Sequence, residues 1–229
     1  MSLVGAALVP AAPVLVAELS GRLCPASAPR EAARGEIEQL ISCAPDVIVV
    51  VAEGDHTEMF DNSAAMHLHR LGGMHRDDYA PGARILPIPL AIGAALLRDA
   101  GWLGPTHYQL LDASTSAIEA AKAGRELADV EPRVGLLLLG NGSACTTPKA
   151  PGSFHPQAEG FNAELVRVIE VGDLAASREW TPESFVDQLS DVRVPLQVMA
   201  GAVDGKSWPW SISFAEEFQG VFYVCAGTR

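Results

Sequence analysis

Short, continuous apolar runs recur along the chain and predict strands that are covered on both faces. Three of these runs occupy Leu3–Val9, residues 46–52 and Val134–Leu139, and their aliphatic side chains do not alternate with polar ones. Such runs are typical of parallel or mixed sheets that are buried on both sides. Residues 210–214 alternate instead, which predicts a half-exposed strand, and residues 221–226 predict a final buried strand.

Helical patterns separate these runs, over residues 31–44, 90–100, 116–128 and 157–171. In most of them the apolar residues recur at the spacing that places them on one face of a helix. Ser116 and Glu119 stand in the register of a capping box. Alternating strands and helices predict an α/β fold, which we expect to be a single-domain layered sandwich over residues 1–229. Its central sheet should be mixed, largely parallel and flanked by helices.

Composition and charge indicate which partners the chain should not bind and where in the cell it should be located. The 229 residues include 16 Lys+Arg and 28 Asp+Glu, for a net charge of −12, and the basic residues form no cluster. Nucleic-acid binding draws on clustered Lys and Arg, so we expect no nucleic-acid partner. Pro10 and Pro13 interrupt the first apolar stretch, and no basic residue precedes Arg22. This pattern argues against a signal peptide or a membrane span and favours a cytoplasmic protein.

Residues 53–84 follow neither period and predict a long polar loop after the second apolar run. Open α/β sheets bind ligands at this end of their strands, and loops of this length are usually functional. Imidazole and carboxylate groups suit Fe(II), Mn(II) or Zn(II). Candidate metal ligands in the loop are Asp55, His56, His67, His69 and His75. The alternative interpretation is a solvated loop whose histidines bind nothing.

A second segment, residues 140–156, is rich in small residues and follows the apolar run that ends at Leu139. Its glycines match no nucleotide-binding fingerprint, but they would let the backbone approach a ligand closely. Asn141, Ser143 and His155 offer hydrogen bonds. Cys145 could act as a nucleophile with His155 as its base, although we favour a packing role for this cysteine.

Several stretches carry a family resemblance, in the order LVPAAPVLVAELSG, DVIVVVAEGD, ILPIPLAIGAALLRDAGW, LLLLGNGSACTTPKAPGSFHPQAEGFN and GVFYVCA. Together they resemble the class III extradiol ring-cleavage dioxygenases. This superfamily contains the protocatechuate 4,5-dioxygenase beta (LigB-like) subunit and the Memo-like proteins. The chain is similar in particular to small actinobacterial LigB-like proteins of unassigned function. The resemblance covers most of the chain and implies the LigB-like form of the α/β sandwich.

The resemblance also implies that this chain has lost the histidines that the family uses for catalysis. Active members bind Fe(II) through two histidines and a glutamate, and a further histidine serves as acid and base while oxygen is inserted into a catechol. The matching histidine positions here are Ala11, Gly54 and Ala144, which have neither a lone pair for a metal nor a proton to transfer. We therefore expect a pseudoenzyme without a cofactor, whose cleft binds a small molecule or a partner. The cleft residues would be Ala11, Ala12, Glu53, Gly54, Asn141, Ser143, Ala144 and His155. The family's glutamate has no assigned position.

Two alternatives stay open. The first is an oxidoreductase of the same dioxygenase class whose Fe(II) or Zn(II) site has moved to His56, with Asp55, Glu53 or a histidine from residues 67–75. The second is a metal-free hydrolase built on Cys145 and His155. The family's members commonly dimerise, so a homo-oligomer is a further expectation. Trp208 and Trp210 should pack either in the core or in an interface, which they could anchor.

Overall fold

The computed structural model describes residues 2–21, 25–73, 82–203 and 208–228. The strands within these ranges are β1 (Leu3–Val9), β2 (Val47–Gly54), β3 (Glu58–Phe60), β4 (Thr106–Asp112), β5 (Val134–Leu139), β6 (Trp210–Phe218) and β7 (Val221–Thr228). The helices are α1 (Ser27–Ser42), α2 (Ile88–Asp99), α3 (Ala117–Leu127), α4 (Ala158–Val171), α5 (Pro182–Val186) and α6 (Arg193–Ala202). None of the helices in these ranges has the length and apolar character needed to cross a membrane.

The strands form one sheet in the order β3-β4-β2-β5-β1-β7-β6. The four central strands β4, β2, β5 and β1 are parallel to their neighbours in this group. The outer strands are antiparallel, with β3 on β4 at one end and β7 and β6 beyond β1 at the other. The predicted α/β sandwich with a central mixed sheet is confirmed.

Two hydrophobic layers cover the sheet, one on each face. Leu136 and Leu138 of β5 pack into the layer that contains α3, α4 and α6. Leu137 and Leu139 point to the opposite layer, which contains α1 and α2. Since both faces of β5 are buried, every position of the strand is apolar, and this accounts for the unalternated pattern in the sequence.

Local signals located several elements correctly. β1 and β5 have the predicted bounds, and Ser116 and Glu119 form the capping box of α3. β4 and α6 were not predicted. β4 mixes polar and apolar residues, and all ten residues of α6 are buried. α6 is short and has Pro195 in its first turn, and a proline is typical of turns and helix boundaries, so its sequence is not a clear helical pattern.

The segment 53–84 contains more regular structure than its composition predicts. Glu53 and Gly54 are the last residues of β2, and β3 pairs with β4. Ala65 and Ile85 form an isolated bridge, and His69–Leu71 is a short 3-10 turn. A three-residue edge strand is too short to produce a recognisable period. His75 lies outside the described residues.

The tryptophans proposed as interface anchors face the interior. Trp210 is 8% exposed and belongs to the core layer with α3, α4 and α6, and Trp208 packs against that layer. Both rings therefore contact the core layer, which is the core-packing role that the sequence allowed for them.

Candidate functional site

The carboxyl ends of β2 and β5 bring two of the predicted cleft residues to the same edge of the sheet. Glu53 is near the end of β2, and Asn141 follows the adjacent strand β5. From β2 the chain continues to α2 on one face, whereas from β5 it continues to α4 on the other. Neighbouring strands whose connections diverge in this way create the crevice where open α/β sheets bind ligands.

Asp191 lies at the same edge of the sheet, in contact with Asn141. It was not predicted from the sequence as a site residue. Its Oδ1 accepts a hydrogen bond of 2.6 Å from the main-chain N–H of Asn141, and its carboxylate also accepts from the Asn141 side-chain amide at 3.2 and 3.3 Å. Loss of hydration nevertheless raises its pKa to about 6. Asp191 lies just before α6, a helix that was not predicted from the sequence.

Glu53 has an even more strongly shifted carboxyl group. Burial, followed by repulsion from Asp191, raises its pKa to about 7, while the charge of Arg193 and a hydrogen bond from the Val194 main chain act in the opposite direction. Its Oε2 is buried and has no hydrogen-bond partner among the described residues. Glu53 can therefore hold or release a proton near neutral pH, which is the property of a general acid or base.

Arg193 attaches the start of α6 to the loop between β4 and α3. Its guanidinium, in a residue that is 1% exposed, donates to the carbonyl oxygens of Thr115 and Ala113 and to Oε1 of Gln197. Loss of hydration lowers its pKa, and the nearby charge of Glu53 partly offsets this effect. Arg193 thereby holds a positive charge beside Glu53 and positions the helix that donates to Glu53.

The structure brings Asp55 and His56 together as a hydrogen-bonded pair. His56 Nδ1 lies 2.6 Å from Asp55 Oδ1, and its Nε2 lies 3.1 Å from Glu58 Oε2. These hydrogen bonds raise the pKa of His56, which favours the protonated ring, and protonated imidazole has no lone pair for a metal. Within the described ranges, no group of three or more His, Cys, Asp and Glu residues is arranged to hold a metal ion.

The other histidines of this segment also have local contacts. The rings of His67 and His69 stack with their centroids 6.2 Å apart, and His69 Nδ1 lies 3.3 Å from the Gly73 carbonyl oxygen. The alternation of these two histidines therefore leads to a ring–ring contact. The candidate ligand His75 falls outside the part of the chain that the structure describes.

The positions that match the family's histidines do not fit an iron ion as that family holds it. Ala12 and Ala144 are 5% and 7% exposed, and Ala11 packs against the layer with α1 and α2. Gly54 lies against Leu110, whose side chain would be 2.7 Å from an added Cβ. These residues offer only methyl groups or hydrogens, so no imidazole from these positions is available to an ion.

The small residues after β5 make room for other parts of the chain. A Cβ on Gly140 would lie 2.6 Å from Val192 Cα, and one on Gly142 would lie 2.9 Å from Asn162 Oδ1. Ser143 is fully buried, and its hydroxyl bonds to Gln188 Oε1 at 2.7 Å and to the Cys145 N–H at 3.1 Å. The expectation that this backbone and this hydroxyl contact a ligand is replaced by a packing role, because protein atoms already occupy the space.

Cys145 and His155 meet through their main chains only. The His155 N–H donates to the Cys145 carbonyl oxygen at 2.9 Å, whereas the Cys145 thiol contacts the Asp187 carbonyl oxygen at 3.7 Å. His155 Nδ1 lies 2.8 Å from the side-chain nitrogen of Gln188. Because Cys145 is 2% exposed and its thiol is not paired with the imidazole, the packing interpretation fits better than a nucleophile.

A cavity of about 520 Å³ lies beside His155, between the start of α4 and the hairpin of β6 and β7. Its walls include Thr146, Phe154, His155, Asn162, Val166 and Phe222. Only His155 among the predicted cleft residues lines it. A sequence signal did exist, since the aromatic residue and the histidine precede an amphipathic helix, but nothing local showed that β7 would supply the opposite wall.

The fold is similar to that in a crystal structure of JW3007, an uncharacterised protein from Escherichia coli, with a TM-score of 0.56. The two chains are 16% identical, and the similarity covers 98% of this chain and 99% of that one. At this level of identity the likeness shows the fold alone. Comparisons with protein-family models and with curated proteins find no match.

Proposed function

We propose that the chain is a LigB-like protein that binds a small molecule and does not cleave catechol rings. The observation that carries the proposal is the cavity beside His155, about 520 Å³ in volume. Small-molecule sites are typically concave, about 300–1,000 Å³ in volume, and lined by apolar and aromatic side chains with a few polar groups. Phe154, Phe222 and Val166 supply the apolar walls here, while His155, Asn162 and Thr146 supply polar groups.

The loss of extradiol activity is supported by the residues at the carboxyl edge. Ala11, Gly54 and Ala144 provide no ligand atoms, and the nearby His56 uses both ring nitrogens in contacts with carboxylates. The groups that the edge does provide are Glu53, Asp191 and Asn141, which can bind hydrogen-bond donors and exchange a proton. Neither Glu53 nor Asp191 supplies the imidazole ligands through which the family binds Fe(II).

Metal content and oxygen uptake test the proposal together. The protein is purified without oxygen or chelators, its iron, manganese and zinc are measured before and after incubation with Fe(II) or Zn(II), and oxygen consumption is followed with a panel of catechols. We expect metal far below one equivalent per chain and no oxygen uptake above the protein-free rate.

Two variants separate a relocated metal site from adventitious metal. His56→Ala removes the imidazole of the alternative site, and His107→Ala removes one from β4 that is not a candidate ligand. About one equivalent of metal that is lost in His56→Ala but kept in His107→Ala would overturn the proposal, especially if catechol-dependent oxygen uptake were lost with it. Metal traces that are equal in both variants would support it.

A further inference from the structure

Asn162 is the most informative polar group in the cavity beside His155. It is 5% exposed, and its Oδ1 accepts a hydrogen bond of 2.9 Å from the Ser143 N–H. This contact fixes which end of the amide faces the protein. Its Nδ2 is left without an acceptor among the described residues, although the side chain lines the cavity. This nitrogen is therefore free to donate a hydrogen bond to a ligand that carries an acceptor atom.

His155 offers a second hydrogen bond in the same space. His155 Nδ1 lies 2.8 Å from the Gln188 side-chain nitrogen and accepts from the Gln157 N–H at 3.2 Å. A ring whose Nδ1 accepts in this way carries its proton on Nε2 when neutral and so presents a donor there. Asn162 and His155 thus present donors to the cavity, and a ligand that carries an oxygen acceptor can pair with them.

The charged residues around the cavity determine whether the ligand group that carries this oxygen is charged. Within the described residues, the charged groups that line it are Glu159 and Glu217, with no Lys or Arg beside them. A carboxylate ligand would be repelled by both, and the whole chain carries a net charge of −12. An ammonium group would be attracted, but it cannot accept a hydrogen bond from Asn162. The two glutamates are exposed, so solvent weakens their attraction for a cation.

The walls favour a flat apolar body. Phe154 is 59% exposed, and Phe222 and Val166 are partly exposed at the same cavity. Aromatic rings prefer to pack against other rings in offset or edge-to-face contacts. A ligand ring would therefore cover apolar surface that the fold leaves in contact with water.

We infer that this cavity binds an uncharged aromatic carboxamide, with its carbonyl oxygen on the Asn162 amide and its ring between Phe154 and Phe222. The inference rests on the proposed function, because it names the ligand class for the same cavity. Asn162 is a specificity-determining residue in this site, since it alone presents a fixed donor whose other end is held by the backbone of Ser143.

Three probes that contain the same phenyl ring but different polar groups test which polar group the cavity prefers. Binding of benzamide, benzoate and benzylamine to the full chain is measured by ligand-observed NMR titration at constant ionic strength. We expect saturable binding of benzamide and about tenfold weaker binding of benzylamine, which has no acceptor for the Asn162 amide. Benzoate should also bind more weakly than benzamide, because Glu159 and Glu217 repel its charge. Benzoate that binds as tightly as benzamide, or benzylamine that binds more tightly, would overturn the inference.

Matched variants test the position. Asn162→Asp keeps an acceptor for Ser143 but removes the donor, and should weaken benzamide binding about tenfold. Asn62→Asp is the control, because Asn62 Oδ1 likewise accepts from a main-chain N–H, that of Thr106 at 3.2 Å. Ala163→Trp should block the cavity from an exposed helix position.

Unchanged benzamide affinity in Asn162→Asp or Ala163→Trp would place the ligand elsewhere and overturn the inference. Absence of benzamide binding would overturn it as well. Metal content and oxygen uptake are independent of these titrations, so failure of this inference is distinguishable from retained dioxygenase chemistry.

Discussion

Glu53 and Asp191 are carboxyl groups that have lost much of their hydration at the carboxyl edge of the sheet. Burial and repulsion from Asp191 raise the pKa of Glu53 to about 7, and loss of hydration raises that of Asp191 to about 6. Arg193 opposes the shift of Glu53 without forming a direct ion pair with it. Groups with pKa values moved toward neutrality are typical of functional sites, although structural networks also produce them.

Glu53 should make the stability of the protein fall as the pH rises. Its folded pKa of about 7 is above the ordinary 4.5, so the folded state binds more protons than the unfolded state between these values. The unfavourable contribution therefore grows across this window and is complete above it. We expect Glu53→Gln, which does not titrate, to gain up to about 3 kcal/mol in free energy of unfolding relative to the parent between pH 4.5 and 8.

Urea unfolding of both proteins at pH 5 and pH 8 measures this change. Glu159→Gln, an exposed position, is the control and should differ from the parent by a similar amount at both pH values. A Glu53→Gln difference that is equal at both, or larger at pH 5, would contradict the assignment of a raised pKa.

At the scale of elements, the contact between α3 and α6 supports the carboxyl edge. α6 begins with Arg193 and the Val194 N–H that Glu53 uses, so its placement determines the surroundings of this carboxylate. Two glycines permit the close approach. A Cβ on Gly124 would lie 1.9 Å from the Val198 carbonyl oxygen, and one on Gly201 would lie 2.0 Å from that of Ala121.

Gly124→Ala should therefore destabilise the protein despite the better helix propensity of alanine. We expect a loss of about 1–3 kcal/mol in free energy of unfolding, because backbone atoms must move to admit the methyl group. Gly35→Ala in α1 is the matched control, since no atom lies within 4 Å of an added Cβ there. It should gain up to about 1 kcal/mol. Urea titrations that show a gain for both variants would refute the close contact.

At the scale of the whole molecule, β5 lies at the centre of a sheet with a hydrophobic layer on each face. Leu136 belongs to one layer and Leu137 to the other, and both are fully buried. β5 therefore packs against both layers, the one that contains α2 on one face and the one that contains α4 on the other. Its position also aligns the carboxyl ends of β2 and β5 at one edge of the sheet.

Leu136→Ala and Leu137→Ala should each destabilise the protein by about 2–5 kcal/mol, because each leaves a cavity in a packed layer. Ile212→Ala in the edge strand β6, where the side chain is half-buried, should cost clearly less. Thermal or urea unfolding checks the three values. A large loss for only one of the two leucines would show that one layer contributes little.

Much of the fold could be predicted from the sequence, because the patterns that indicate its strands and helices involve residues that are close along the chain. The aliphatic runs of β1 and β5, the Ser116–Glu119 capping box and the α/β class depend on residues that are neighbours along the chain. The location of Glu53 and Asn141 at one edge followed from a general rule about parallel strands. The hydrogen-bonding role of Ser143 was predicted, but its partner is a buried glutamine, and no local pattern reveals enclosure.

By itself, the sequence determined the layered α/β class, the main central strands and the absence of imidazole at Ala11, Gly54 and Ala144, because composition and short-range spacing contain this information. The tertiary structure alone decided that Asp191 and Arg193 surround Glu53 and that Asn162, His155 and Phe222 share one cavity. Glu53 and Asp191 are distant along the chain, as are His155 and Phe222, and the burial that shifts a pKa exists only after the layers have packed.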